Sequence, residues 1–181
     1  MKKIFKIIRI VLALFAISVI NIFVINFFPF PYDRINVIFL YLFGIVIVRP
    51  EENGVLWQGM ALSYISELYS DSAFGINMLS CVGALLVAQS LLKNIFTNRS
   101  SPIVFFVSVT GILSYRAIYF ILLSASDFFN HSLISVNISS LAGAVYESLL
   151  TSGLLFIAYF VGSRFSRKFD PNYLSAGRKE S

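Results

Sequence analysis

Ile10 to Phe28 is a long apolar run preceded by Lys2, Lys3, Lys6 and Arg9. At about 1.5 Å per residue, a helix of that length crosses a hydrocarbon core of about 30 Å. Five more apolar runs follow: Ile35 to Val48, Val55 to Tyr69, Phe74 to Leu92, Ile103 to Ala125 and Ile138 to Ser163. In lipid the backbone has no water to bond to, so only helices and closed barrels span. Runs this long select helices. Composition agrees, since 57% of the 181 residues are hydrophobic and only 13% are charged, against about 25% charged in soluble domains. The expectation is an all-α, polytopic membrane protein with about six transmembrane helices. Residues 1–165 form one transmembrane domain, and residues 166–181 form a basic cytoplasmic tail.

The junctions fit this partition. The first run exceeds the roughly 7–15 apolar residues of a signal peptide and lacks a small-x-small cleavage site, so it reads as an uncleaved span. Pro29 and Pro31 stop that helix, and Tyr32-Asp33-Arg34 forms a polar junction. The second run is short for a bilayer core. Arg49-Pro50-Glu51-Glu52-Asn53-Gly54 is a charged turn, and Ser70 to Ala73 is a tight one. The longest loop, Ser126 to Asn137, holds Asp127 and the single histidine, His131.

Six spans place both ends on one side. If that side is cytoplasmic, it holds 12 of the 14 basic residues, leaving Arg34 outside and Arg116 within a span. The excess of basic residues in cytoplasmic segments therefore orients both termini inward. The net charge of +5 has this topological origin, and no continuous basic patch calls for nucleic acid.

Three ionisable residues fall inside spans: Glu67, Arg116 and Glu147. A charge at the bilayer centre costs roughly 2.5–3.5 kcal/mol on insertion scales, so each needs a partner or a cavity. Counting helix rise from the span ends puts all three at roughly 16–21 Å from the inner face. This common level predicts one buried cluster, with Arg116 shared between Glu67 and Glu147, because a guanidinium offers five donors in a planar fork. Such a cluster either fixes helix order or carries protons or ions. The paired broken helices and inverted repeat of secondary transporters are not seen in the sequence.

Gly59, Ser63 and Glu67 are four apart and share a helix face. Gly75, Leu79 and Gly83 repeat at the same spacing in the next run, which predicts a close-packing and partner-docking face. Gln58 and Asn77 are polar in apolar surroundings, and a solute pocket is expected to use them beside Glu67 and Arg116. No catalytic or metal-binding constellation emerges. There is no Walker A, GxGxxG, HExxH or GxSxG pattern, His131 has no further ligands nearby, and Cys81 is the only cysteine. No cofactor is expected.

The layout resembles the MreD family of bacterial rod shape-determining membrane proteins. A proline junction leads into a short span (PFPYDRINVIFLYLFGIVIV), and a charged turn with glycine follows (RPEENG). Next comes a hairpin in which the family shows Gly-Leu-Leu-x-Asp, a turn, and Leu-Gly-x-x-Ala-Leu. Here those positions read Ser63-Tyr64-Ile65-Ser66-Glu67 and Phe74-Gly75-Ile76-Asn77-Met78-Leu79. Ser63 stands for the family glycine and Glu67 for its aspartate. The resemblance extends over residues 10–165. It implies a non-catalytic inner-membrane scaffold of the cell-elongation machinery. The implied partners are an MreC-like single-span protein and, indirectly, an MreB-like filament and peptidoglycan synthases, with membrane lipids around it. The family's helical arrangement is also similar to the substrate-binding subunits of energy-coupling-factor vitamin transporters. That likeness implies the alternative, a small-molecule carrier.

Overall fold

The computed structural model describes residues 2–49, 54–69, 74–96, 101–130 and 138–165. Among them there are six α-helices and no strand: α1 Lys2–Phe27, α2 Val37–Val48, α3 Gly54–Glu67, α4 Ile76–Ser90, α5 Ser101–Asn130 and α6 Ile138–Phe165. Four apolar stretches are long enough to cross a membrane: Ile8–Phe27, Ile76–Ile95, Pro102–Ser126 and Ala142–Gly162. The described residues are thus all-helical outside turns, with helices consistent with a multi-pass membrane protein. The polar tail expected over 166–181, the turn over 70–73 and His131 lie outside the described residues.

Local chemistry sets the helix ends. After α1, Pro29 and Pro31 open a single 3₁₀ turn, Tyr32–Arg34, in which the Tyr32 N–H donates to the Pro29 carbonyl at 2.9 Å. Asn36 then caps α2, its side-chain oxygen accepting from the Phe39 N–H at 3.2 Å. α4 starts behind Gly75, whose φ of +96° is a left-handed conformation that favours glycine. It continues into a π-helical turn, Leu91–Ile95.

Two boundaries differ from the sequence reading. α3 stops at Glu67, before Tyr69. α5 continues past Ala125 to Asn130, into the segment expected to be loop. No proline or glycine lies between Gly111 and Gly143 to halt it.

The short helix turns out to be the centre. α2 packs against all five other helices, and Leu42, Phe43 and Val46 are fully buried. Its sequence, VIFLYLFGIVIV, is apolar on every face, as a helix enclosed by neighbours requires. Its 12 residues span only about 18 Å, so α2 is a post wrapped mainly by protein. α1 is peripheral, with Val11, Leu12, Phe15 and Phe23 more than half exposed.

Two registers fix the packing. Along α3 and α4, Gly59 faces Leu85, Ser63 hydrogen-bonds the Cys81 thiol, and Glu67 meets Asn77. Each step of four up α3 matches a step of four down α4, which defines an antiparallel hairpin. Between α2 and α5, Phe43 lies on Gly111, and Phe39 meets the Tyr115 ring edge-on with centroids 4.7 Å apart.

The Gly111 contact is stringent. A Cβ there would sit 2.5 Å from Phe43 Cζ and 2.6 Å from Cε1. A packed aromatic ring has no flexible end to move aside. Gly111→Val is expected to destabilise by about 1–3 kcal/mol through overpacking, whereas Gly153→Ala, with nothing within 4 Å, should be neutral or slightly stabilising. Thermal unfolding followed by labelling of the buried Cys81 with a thiol-reactive dye measures both.

Candidate functional site

The buried polar groups form a chain that passes through every helix. On α1, Asn21 Oδ1 accepts from the Val37 N–H at the start of α2, at 3.0 Å. Beside it, the Asn36 N–H donates to Thr151 Oγ1 on α6 at 3.1 Å. The Asn36 amide nitrogen donates to Glu147 Oε1 at 2.9 Å. Glu147 receives Arg116 of α5 on its other oxygen: Nε donates to Oε2 at 2.6 Å, and Nη2 also contacts that oxygen. The guanidinium carbon lies 5.6 Å from the centre of the neighbouring Tyr115 ring. The Tyr115 hydroxyl donates to Asn77 Oδ1 on α4 at 2.9 Å, and the Asn77 N–H donates to Glu67 Oε1 on α3, also at 2.9 Å.

The three sequence-predicted charges therefore lie along one network, but not as one cluster. Among the described residues Arg116 pairs with Glu147, and Glu67 does not reach it. The reason is lateral. α4 packs between α3 and α5, so Glu67 is turned toward the start of α4. There it serves as a capping carboxylate, taking one of the N–H groups that a helix N-terminus leaves unbonded. Glu67 is buried, and its second oxygen has no hydrogen-bond partner among the described residues. Residue counting gives a level along each span. The direction in which each side chain points was set by neighbours that counting does not supply.

On α3, Gly59 and Ser63 both point into the hairpin. The α4 residues at the same spacing do not share one contact. Asn77, Cys81 and Leu85 meet α3, while Leu79 is 56% exposed and points away from the bundle. Gly83 faces α5, with a Cβ there coming within 2.6 Å of Ile118 Cδ1. Gly75 is not a packing glycine, since nothing lies within 4 Å of its Cβ position and its backbone angle is what demands glycine. The residues missed were Asn21, Asn36, Tyr115 and Gly111. Asn36 carried a signal, as an asparagine directly before an apolar run is a cap position.

The expected solute pocket also changes place. Asn77, Glu67 and Arg116 are engaged in the polar chain. Gln58 instead lines a cavity of about 590 Å³ near the start of α1 and the end of α6, together with Ile10, Tyr41, Gly44, Arg49 and Tyr159. There the Tyr41 hydroxyl donates to Gln58 Oε1 at 2.9 Å. Among the described residues, no three His, Cys, Asp or Glu side chains converge to hold a metal.

Among the described residues, fold and site together are those of a helical bundle with four helices long and apolar enough to cross a membrane, consistent with a multi-pass membrane protein, and with a buried polar network. No family model, characterised protein or solved structure matches the chain.

Removing one partner of a buried ion pair leaves the other uncompensated, at about 3–5 kcal/mol. Glu147→Gln should fall at the low end, because Arg116 keeps 29% side-chain exposure. Arg116→Glu combined with Glu147→Arg should recover part of that loss. Arg116→Glu combined with Glu67→Arg should recover none, because those groups do not touch. Thermal unfolding in detergent of these three variants, beside the single charge reversals at the three positions, separates the two pairings.

Proposed function

We propose that the chain is a non-catalytic membrane scaffold of the bacterial cell-elongation machinery, working in the manner of the MreD proteins it resembles. In this reading it threads the inner membrane six times with both termini cytoplasmic, and its helical arrangement is similar to that of energy-coupling-factor substrate-binding subunits. It docks the single span of an MreC-like partner and so reaches an MreB-like filament and the peptidoglycan synthases.

The observation that carries the proposal is the two-sided hairpin of α3 and α4. Its inner face is fixed by the Gly59, Ser63 and Glu67 contacts to α4. Its outer face exposes Trp57, Tyr64, Leu68, Phe74, Leu79 and Leu86. Tyr64 and Phe74 sit edge to face across the hairpin, with ring centroids 5.7 Å apart. Without a hydrophobic drive between helices in lipid, association depends on packing of shaped surfaces. A rigid aromatic strip on a pinned hairpin offers such a surface to a partner helix. The carrier reading finds less support, because Asn77, Glu67 and Arg116 of the expected solute site are engaged in the polar chain, and only Gln58 lines the cavity.

Depletion from a rod-shaped host should give rounded cells. A photoreactive side chain at Phe74 or Leu79 should capture a single-span membrane protein, while one at Val11 on the peripheral α1 should not. Unaltered cell shape on clean deletion sinks the proposal.

A further inference from the structure

The cavity beside Gln58 is a slot with a direction. α1 and α6 both pack on α2, and the slot lies along α2 where they leave it uncovered. It runs from Leu40 to Arg49, about 13 Å of helix rise. Its walls are hydrocarbon from Ile10, Ile45, Ile47, Val48 and Leu155. At Gly44 nothing lies within 4 Å of where a Cβ would be, so the glycine leaves the slot its width. Ala158 lines it from α6 and is exposed. Ala158 and Ile10 both belong to stretches long and apolar enough to cross a membrane, so the mouth opens toward acyl chains.

Gln58 has a hydrogen-bond donor left over. The Tyr41 hydroxyl donates to Gln58 Oε1 at 2.9 Å, which fixes the amide and turns its NH₂ group away from the tyrosine. Among the described residues that nitrogen has no hydrogen-bond partner, and protein does not seal it off. An amide N–H set against hydrocarbon is costly until it finds an acceptor. Arg49, the charged residue on the wall, already has a partner within the protein, so the acceptor called for is a neutral one. The level narrows it further. Gln58 follows the start of α3 at Gly54 by about 6 Å of helix rise. The interfacial layer of a bilayer is about 5–7 Å deep on each side of the hydrocarbon core, and the ester carbonyls of glycerolipids sit at its inner edge.

We propose that the slot holds one acyl ester of a glycerolipid. The ester carbonyl accepts from Gln58 Nε2, and the acyl chain lies along α2, over Gly44 and toward Leu40. The volume of about 590 Å³ falls within the roughly 300–1,000 Å³ of small-molecule sites. The headgroup stays outside, so the site reads the linkage and the chain rather than the charge. It is independent of the scaffold role, since none of its lining residues belongs to the exposed strip around Tyr64 and Phe74.

The test uses the full chain in mild detergent, offered equal amounts of diester phosphatidylcholine and its diether analogue. The analogue keeps the chains and headgroup but lacks the carbonyls, and native mass spectrometry counts what stays bound. One lipid should be retained per chain, with the diester favoured about fivefold, the value of one hydrogen bond. Gln58→Met, of similar length but with no donor, should bring the two lipids to parity while one is still retained. Gly44→Leu fills the slot and should abolish retention of both without lowering the unfolding temperature, because leucine is also the better helix former. Ala158→Phe, which blocks the mouth, should act alike and covers the case in which Gly44→Leu is unstable. Equal retention of diester and diether by the parent chain, a diester preference that survives Gln58→Met, lipid retained in both blocked variants, or no lipid retained by the parent chain each overturns the proposal.

Discussion

The structure depends on one constraint: polar groups placed in hydrocarbon must find each other. A lone buried carboxylate or guanidinium costs several kcal/mol, and an unbonded amide costs nearly as much as the bond it lacks. Here the solution is a series of hydrogen bonds from Asn21 to Glu67, joined within α5 through the adjacent Arg116 and Tyr115. Because these bonds run between different helices, shifting or rotating one of those helices opens a bond. Apolar packing in lipid has no such directional demand, as lipid tails compete equally well for a leucine. The polar chain thus specifies helix order, while the apolar contacts fill the space between.

The central position of α2 follows from the same logic. A helix too short to reach both faces of a bilayer cannot be solvated by lipid along its axis without distorting the membrane. Enclosing it in the other five removes that difficulty, and its all-apolar sequence then becomes an asset. Both of its ends carry polar work. Asn36 caps its start and also bonds Thr151 and Glu147 on α6, and Arg49 closes its end. The post is held by what its termini do, and its flanks supply the core with Phe39, Leu42, Phe43 and Val46.

Much of this was legible from the residues. Apolar runs and breakers located all six helices, because hydrophobic length and proline placement act locally. Glu67, Arg116 and Glu147 could be placed at a common depth, because helix rise is constant. Azimuth was not legible. Whether Arg116 looks toward α3 or α6 depends on which helices flank α5, a tertiary fact. Leu79 illustrates the same gap: its spacing from Gly75 and Gly83 marks a face, but the sequence does not say whether protein or lipid covers it. The face that packs, Asn77-Cys81-Leu85, has the same spacing and was hidden only by its mixed chemistry. Gly75 shows that a glycine in such a pattern can answer to a turn rather than to a neighbour.

The two ends of the bundle are consequently unlike. At the end holding Asn36, Glu147 and Asn77, every neighbour is tied by directional bonds, so a force applied to one helix is passed to the next. At the other end, α1 and α6 leave the wedge by Gly44 over α2, walled mainly by hydrocarbon with the Tyr41–Gln58 hydrogen bond at its edge. Dispersion falls off steeply with a fraction of an ångström of separation, so that end yields first to anything that enters. The exposed aromatic strip around Tyr64 and Phe74 adjoins the tied end, so a partner seated there, as proposed, would bear on helices fixed through Glu67 and Asn77.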